Sequence, residues 1–335
     1  MDIDITSLKG GERAILALRS LYERHGYVCY KMSKFEEYDF YAQNRDFLSD
    51  GDILTFTDTD GRLMALKPDV TLSIVRHMRE GPGTVQKIFY DENVYRAPRR
   101  AGRRGTFREI PQVGLECLGA VDDSCVREVL SLAAESLSLV ATSRARVLDV
   151  SHLGVLSAVL DGFSPEARPA LIQCVAEKNL HELTRLGGDG AKYLRALVEH
   201  CGRPDEALPA LRQALMGCEP ALKCLGQLEH VLNHLGDAAM FRMGGSGGPA
   251  ARRERLNLEF PLSFNVDFSV VSNLNYYNGI VFRGFLEGIP AAVLSGGQYD
   301  RLMERMGHTG GHAIGFAVYM DLLEPLFSEE RGEER

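Results

Sequence analysis

From about Asp149 to Gly236 the chain carries four successive segments with an apolar residue every three to four positions: "SHLGVLSAVLDGF", "EARPALIQCVAEKNLHELTRLG", "AKYLRALVEHC" and "PALKCLGQLEHVLNHLG". That spacing gathers apolar side chains on one face of an α-helix, so a helical block occupies the middle of the chain. Segments of β character lie on both sides of it. Before the block, "DILTFTDTDGRLMALKP" alternates apolar and polar residues around Asp60-Gly61, a hairpin signal, and "VQKIFYDENVYR" and "QVGLECLGAV" read as two further strands. After it, "LEFPLSFNVDF" alternates, "GIVFRGF" and "AAVLSGG" flank the turn "LEGIP", and "AIGFAVYMDLLEPLF" predicts a strand followed by a closing helix. Two helical patterns precede the block: "GERAILALRSLYERHGY", with Ile15, Leu18, Leu21 and Tyr22 on one face and Gly26 as its C-terminal cap, and the stretch from Pro68, with Val70, Ile74, Val75 and Met78 on one face. A sheet split by helices makes an α+β chain. The expected divisions are a core's first part over 1–150, a helical insertion with the glycine-rich connector "RMGGSGGPAARRERL" over 151–250, the completed core over 251–328, and a charged tail over 329–335.

Charge is distributed unevenly. The 335 residues carry a formal net charge of −8, which argues against a dedicated nucleic-acid binder, yet six arginines and no acid fall between Arg96 and Arg108. The pattern places them on a long loop between two strands. Such a loop is either solvated or holds a phosphate, an acidic partner surface or nucleic acid, in that order of preference. Cys29, Cys117, Cys125, Cys174, Cys201, Cys218 and Cys224 are scattered with no C-x-x-C, so they read as reduced thiols. His230 and His234 are four apart but have no third ligand in view, and no metal or cofactor is expected. The N-terminus lacks the basic start and apolar run of a secretory signal, and no apolar run approaches a membrane span, so a cytoplasmic location is expected.

The motifs "LKPDVT", "VYRAPRRAGRRGTFREIPQVGLE", "NLNYYNGIVF", "SGGQYD" and "AIGFAVYMDLL", in that order, resemble the catalytic domain of class II histidyl-tRNA synthetases. They are closer still to the family of their non-catalytic relatives, the regulatory subunits of ATP phosphoribosyltransferase. The resemblance implies a mostly antiparallel sheet flanked by helices, with a helical insertion, and a pocket for histidine. Carried over position by position, Asp69 matches the carboxylate that binds the α-amino group, and Thr71, Gln112, Glu116, Tyr276 and Tyr277 match histidine contacts. Arg96 matches the arginine on the α-phosphate and substrate carboxylate. On a strand, Gln112 and Glu116 share one face, which suits a pocket floor.

The ATP half departs from the synthetase pattern. Pro98 replaces a glutamate that recognises adenine, Ser272 replaces an arginine that helps activate the histidine carboxylate, and Tyr319 and Leu322 replace a glycine and an arginine at the nucleotide. Leucine offers no guanidinium and proline no acceptor, so adenylation is expected to be lost. After the last motif only "EPLFSEERGEER" follows, where a synthetase continues into an anticodon-reading domain; tRNA is therefore not an expected partner. The resemblance implies a non-enzymatic regulatory subunit that activates a short-form catalytic subunit, relays feedback inhibition by histidine, and self-dimerises inside a hetero-oligomer. The alternatives are a free-standing synthetase-like enzyme that activates an amino acid for a non-tRNA acceptor, and a stand-alone histidine sensor or RNA-binding module.

Overall fold

The computed structural model describes residues 8–48, 51–78, 83–100, 103–104, 107–242, 262–271 and 276–333. In chain order the first elements are α1 (Gly10–Arg24), β1 (Val28–Cys29), β2 (Phe35–Glu37), α2 (Tyr38–Gln43), β3 (Gly51–Asp52), β4 (Thr55–Thr57), β5 (Leu63–Leu66) and α3 (Val70–Arg76). Strands β6 (Val85–Arg100), β7 (Arg103–Arg104) and β8 (Arg108–Gly119) follow, then α4 (Asp123–Val140), β9 (Arg146–His152) and α5 (Leu153–Leu160). The helical block continues with α6 (Arg168–Ala176), α7 (Leu180–Gly187), α8 (Lys192–Glu199), α9 (Pro204–Ala214) and α10 (Glu219–Arg242). The chain closes with β10 (Leu262–Val266), β11 (Ile280–Leu286), β12 (Leu294–Gln298), α11 (Asp300–Arg305), β13 (His312–Tyr319) and α12 (Met320–Glu333).

Packing divides the chain into two units, Met1–Val121 with Tyr299–Arg335, and Asp122–Gln298. In the first, β1, β6, β8 and β13 form a sheet in that order, parallel at β1–β6 and antiparallel elsewhere. One face of it packs under α1, where Tyr22 meets Phe89 and Phe316 with ring centroids 6.0 Å away in each case. Leu18, Leu21 and Tyr22 are buried there as the helical spacing predicts, and the chain leaves the helix through Gly26 at φ +81°. The expected hairpin is β4–β5: Asp58 accepts from the backbone N–H groups of Asp60 and Arg62 at 2.9 and 2.8 Å, and Gly61 takes φ +82°. With β2 it makes a separate three-stranded sheet.

The arginine stretch is not the expected loop. The β6–β8 ladder runs without interruption from Val85 opposite Gly119 to Arg96 opposite Arg108, and β7 extends the pairing with Arg99 opposite Arg104 and Arg100 opposite Arg103. Every arginine of the cluster therefore faces another arginine across the strands. Like charges in that position oppose pairing, so the long register below them holds the arm together.

In the second unit β9 lies between β11, antiparallel to it, and β10, parallel to it, with β12 antiparallel beyond β11. The β11–β12 hairpin and the helical block agree with the sequence. The unit boundaries do not fall at 150/151 and 250/251, because β9 takes both its neighbours from strands that follow the helices. Helix α4 carries no sequence expectation; it buries Val126, Val129, Leu130, Ala133 and Leu137, and Leu137 packs over the bare backbone of Gly284. Residues 243–250 of the glycine-rich connector lie outside the described residues, and the expected tail from residue 329 continues α12 through Glu333. No helix among the described residues is long and apolar enough to cross a membrane.

Candidate functional site

The face of the first unit's sheet turned away from Tyr22 carries polar groups. Alternation along β8 puts Gln112, Gly114 and Glu116 on it, and the antiparallel register aligns them with Glu92, Tyr90 and Ile88 of β6. On the other side Tyr319, Ala317 and Gly315 of β13 stand opposite the same three positions. Gln112 and Glu116 are buried, at 4% and 2% exposure. The middle of this floor is nearly bare. A Cβ on Gly114 would lie 2.5 Å from the Tyr90 hydroxyl, and a Cβ on Gly315 would lie 1.7 Å from Oε2 of Glu116. The carboxylate thus lies across backbone that only glycine leaves open.

Helix α3 supplies the wall. Asp69 is its N-cap, accepting from the Leu72 N–H at 2.9 Å through Oδ1, while its Oδ2 lies 3.4 Å from the Arg96 guanidinium. Arg96 is anchored by a 2.7 Å bond from Nε to the Pro68 carbonyl. Two residues into the helix, the Thr71 hydroxyl donates to Oε1 of Glu116 at 2.7 Å, and the Tyr299 hydroxyl donates to Oε2 at 2.5 Å. Burial pushes the Glu116 carboxyl up to about 8; the two hydroxyls pull against that shift and the Asp69 charge adds to it. Burial also raises the Asp69 carboxyl, with Arg96 acting in the opposite direction.

Further polar pairs brace this wall. Lys67, with no exposed side-chain surface, donates to Oε2 of Glu92 at 3.0 Å, its pKa lowered by burial against the pull of that partner, and its carbonyl accepts from the Tyr95 N–H at 2.9 Å. Behind α3, Ser73 donates to Oε1 of Glu36 at 2.6 Å, and Arg76 holds the other oxygen at 2.9 Å. These bonds tie α3 and the strand before it to the sheet.

The structure therefore brings together Asp69, Thr71, Arg96, Gln112 and Glu116, which span 47 positions of sequence from different elements. Tyr276 and Tyr277 belong to the second unit, where their rings pack at 4.6 Å between centroids and Tyr277 rests on Leu153, Val270 and Val281. Of the positions that depart from the synthetase pattern, Tyr319 ends β13 opposite Gln112, and Leu322 is half-buried in the first turn of α12. The Pro98 backbone pairs with Gly51, and Ser272 lies outside the described residues. Tyr299, Gly315 and the Lys67–Glu92 pair carry no sequence assignment. Tyr299 and Lys67 do stand inside "SGGQYD" and "LKPDVT", and that was their only signal. Two carboxylates, a guanidinium and two hydroxyls around a bare floor suit a small zwitterion bearing a further hydrogen-bonding group. Among the described residues no cluster of histidine, cysteine and acids is arranged to hold a metal.

The Histidyl-tRNA synthetase family profile matches residues 2–323. The chain is 29% identical over 330 residues to the ATP phosphoribosyltransferase regulatory subunit of Anaeromyxobacter sp. (strain Fw109-5), covering 95% of this chain and 88% of the relative. It is 31% identical over 290 residues to the protein of that name from Moorella thermoacetica, covering 82% and 67%. A histidine–tRNA ligase from Methanocaldococcus jannaschii is 27% identical over 316 residues, covering 91% and 68%. The ATP phosphoribosyl transferase (HisG:HisZ) complex from Thermotoga maritima contains a chain of the same fold, with TM-score 0.66, 17% identity, and coverage of 95% and 98%.

Proposed function

The chain belongs to the histidyl-tRNA synthetase family, and from that premise we propose that it is the non-catalytic regulatory subunit of an ATP phosphoribosyltransferase. In this role it docks on a short-form catalytic subunit, activates it, and transmits inhibition by histidine in the cytoplasm. The observation that carries the proposal is the contrast within one fold. Asp69, Thr71, Gln112 and Glu116 are gathered in one buried polar cluster, while Pro98, Ser272, Tyr319 and Leu322 stand where the synthetase pattern acts on ATP. Relatives that carry the regulatory name over most of this chain support the same reading. So does the complex that shares its fold.

In this reading Asp69 takes the α-ammonium group, Arg96 the carboxylate, and Glu116 the imidazole, with Thr71 and Tyr299 fixing the orientation of Glu116. Gln112 closes the floor, and the Tyr276–Tyr277 pair completes the pocket. Histidine can inhibit only by binding the less active arrangement of the complex more tightly. The test is to add this chain to the cognate catalytic subunit and follow phosphoribosyl transfer to ATP. The rate should rise and then fall with histidine; Asp69→Ala and Glu116→Ala should still activate but lose inhibition in proportion to lost affinity. Failure of the wild-type chain to bind or activate the subunit refutes the proposal. The likeness to a histidine–tRNA ligase favours a second reading, an enzyme that activates histidine. Histidine-dependent ATP–pyrophosphate exchange, saturable and proportional to this protein, selects that reading instead.

A further inference from the structure

We infer that the pocket holds the ligand's ring as a cation, with the proton on the ring supplied by Glu116. The inference rests on the histidine-pocket reading above and specifies the species that this pocket takes.

The argument starts from the charges around Glu116. From the start of α3 it is faced by Asp69 and Thr71, and from the turn before α11 by Tyr299. Tyr90 of β6 stands on the same face opposite Gly114, and β13 contributes only Gly315. Among the described residues of this unit no ammonium or guanidinium pairs with Glu116: Arg96 is engaged with Asp69 and the Pro68 carbonyl, and Lys67 with Glu92. Two carboxylates thus share one guanidinium. A bound amino acid brings a carboxylate for Arg96 and an ammonium for Asp69, which cancel, and Glu116 is left over. A buried charge needs a partner, so either Glu116 stays protonated or the ring becomes its counter-ion.

Geometry chooses between them. Both oxygens of Glu116 accept from hydroxyls, at 2.7 and 2.5 Å, which is the arrangement of a carboxylate. An imidazolium beside it completes the charge balance and donates from either nitrogen. In the empty pocket the hydroxyls can turn and accept from the protonated acid, the form that burial favours there. Binding then breaks one O–H bond on Glu116 and forms one N–H bond on the ring, with no proton exchanged with solvent. That balance holds between the free ring's pKa of roughly 6.5 and the carboxyl's value of about 8. Above the window the complex must take up a proton, and affinity falls about tenfold per pH unit; below it one must leave.

The experiment is a titration of the full wild-type chain with ring-15N-labelled L-histidine at about pH 7.5, where the free ring is largely neutral. The bound ring should show two nearly equivalent protonated nitrogens, and calorimetry in buffers of different ionisation enthalpy should show no net proton exchange at that pH. In Glu116→Gln the bound ring should instead be neutral, with its nitrogens inequivalent and affinity tenfold to a hundredfold weaker. A neutral ring in the wild-type complex, or release of one proton per histidine, overturns the inference and leaves the pocket reading standing. Absence of binding by the folded wild-type chain overturns both.

Discussion

Replacing Gly315 by alanine is the sharpest probe of the site, because the perturbation is one methyl group and its target is a single side chain. The added Cβ would lie 1.7 Å from Oε2 and 2.5 Å from the carboxyl carbon of Glu116, whereas ordinary contact begins near 3.4 Å. The Leu115 carbonyl, also at 2.5 Å, belongs to the sheet ladder and yields little. The carboxylate must therefore swing away by more than an ångström, which carries it out of range of at least one of its two hydroxyl donors. A buried hydrogen-bonding group left without its partner costs about 1 to 3 kcal/mol. With some relaxation of α3, unfolding stability should fall by about 2 to 4 kcal/mol. Histidine affinity should drop tenfold to a hundredfold, since the group that receives the ring is displaced. Denaturant unfolding and calorimetry on the same preparation read both quantities. A variant that unfolds at the wild-type midpoint and binds histidine within a factor of two would falsify the placement of Glu116 across β13.

Other variants test neighbouring steps. Thr71→Val and Tyr299→Phe each remove a donor that pulls the Glu116 pKa down, so carbon NMR of the labelled carboxyl should show it rise further in either variant; an unchanged titration would mean the donors are not seated there. Because the Glu116 pKa is raised from 4.5 to about 8 on folding, the unfolded chain binds fewer protons than the folded one across that interval, so its contribution to stability declines as pH rises from 4.5 to 8 and levels off above. Glu116→Gln should flatten that decline in urea midpoints measured between those pH values, and a variant whose profile parallels wild type refutes the assignment. Gly226, in the interior of α10 with nothing within 4 Å of a Cβ, should accept alanine and gain about 0.5 to 1 kcal/mol, measured by the same unfolding assay; a loss there would show that the open space is filled.

Helices and hairpins were legible because their signals are local. The three-to-four-residue spacing of Leu18, Leu21 and Tyr22 and the Asp60-Gly61 turn need no partner to be recognised. Gln112 and Glu116 could be placed on one face by the two-residue period of a strand. The arginine arm was not legible, since like charges at this density suggest a solvated loop, and only the register of β6 against β8 forces them into pairs. Helix α4 escaped notice because its alanines and serines blur the boundary between its faces. The unit boundaries depend on β9 meeting strands that come more than a hundred positions later, a fact no local window contains. The same holds within the site. Nothing in the spacing of "SGGQYD" links Tyr299 to Glu116, although the motif itself drew attention to the segment.

The pairing of β8 with β13 also dictates when the pocket can exist. Glu116 waits for Gly315 and Tyr299, and about 200 residues of chain separate the first from the floor it lies across. During synthesis the β6–β8 ladder and α3 emerge early and can form from nearby sequence, leaving the polar face of β8 uncovered while the rest of the polypeptide is made. The last strand then seals an edge that has been open throughout. A nascent or truncated chain that stops short of β13 keeps Asp69, Thr71 and Arg96 but has no closed floor. Competence to hold a ligand thus arrives only with the final segments of the chain, so a bound effector would report a chain carried to its last strand.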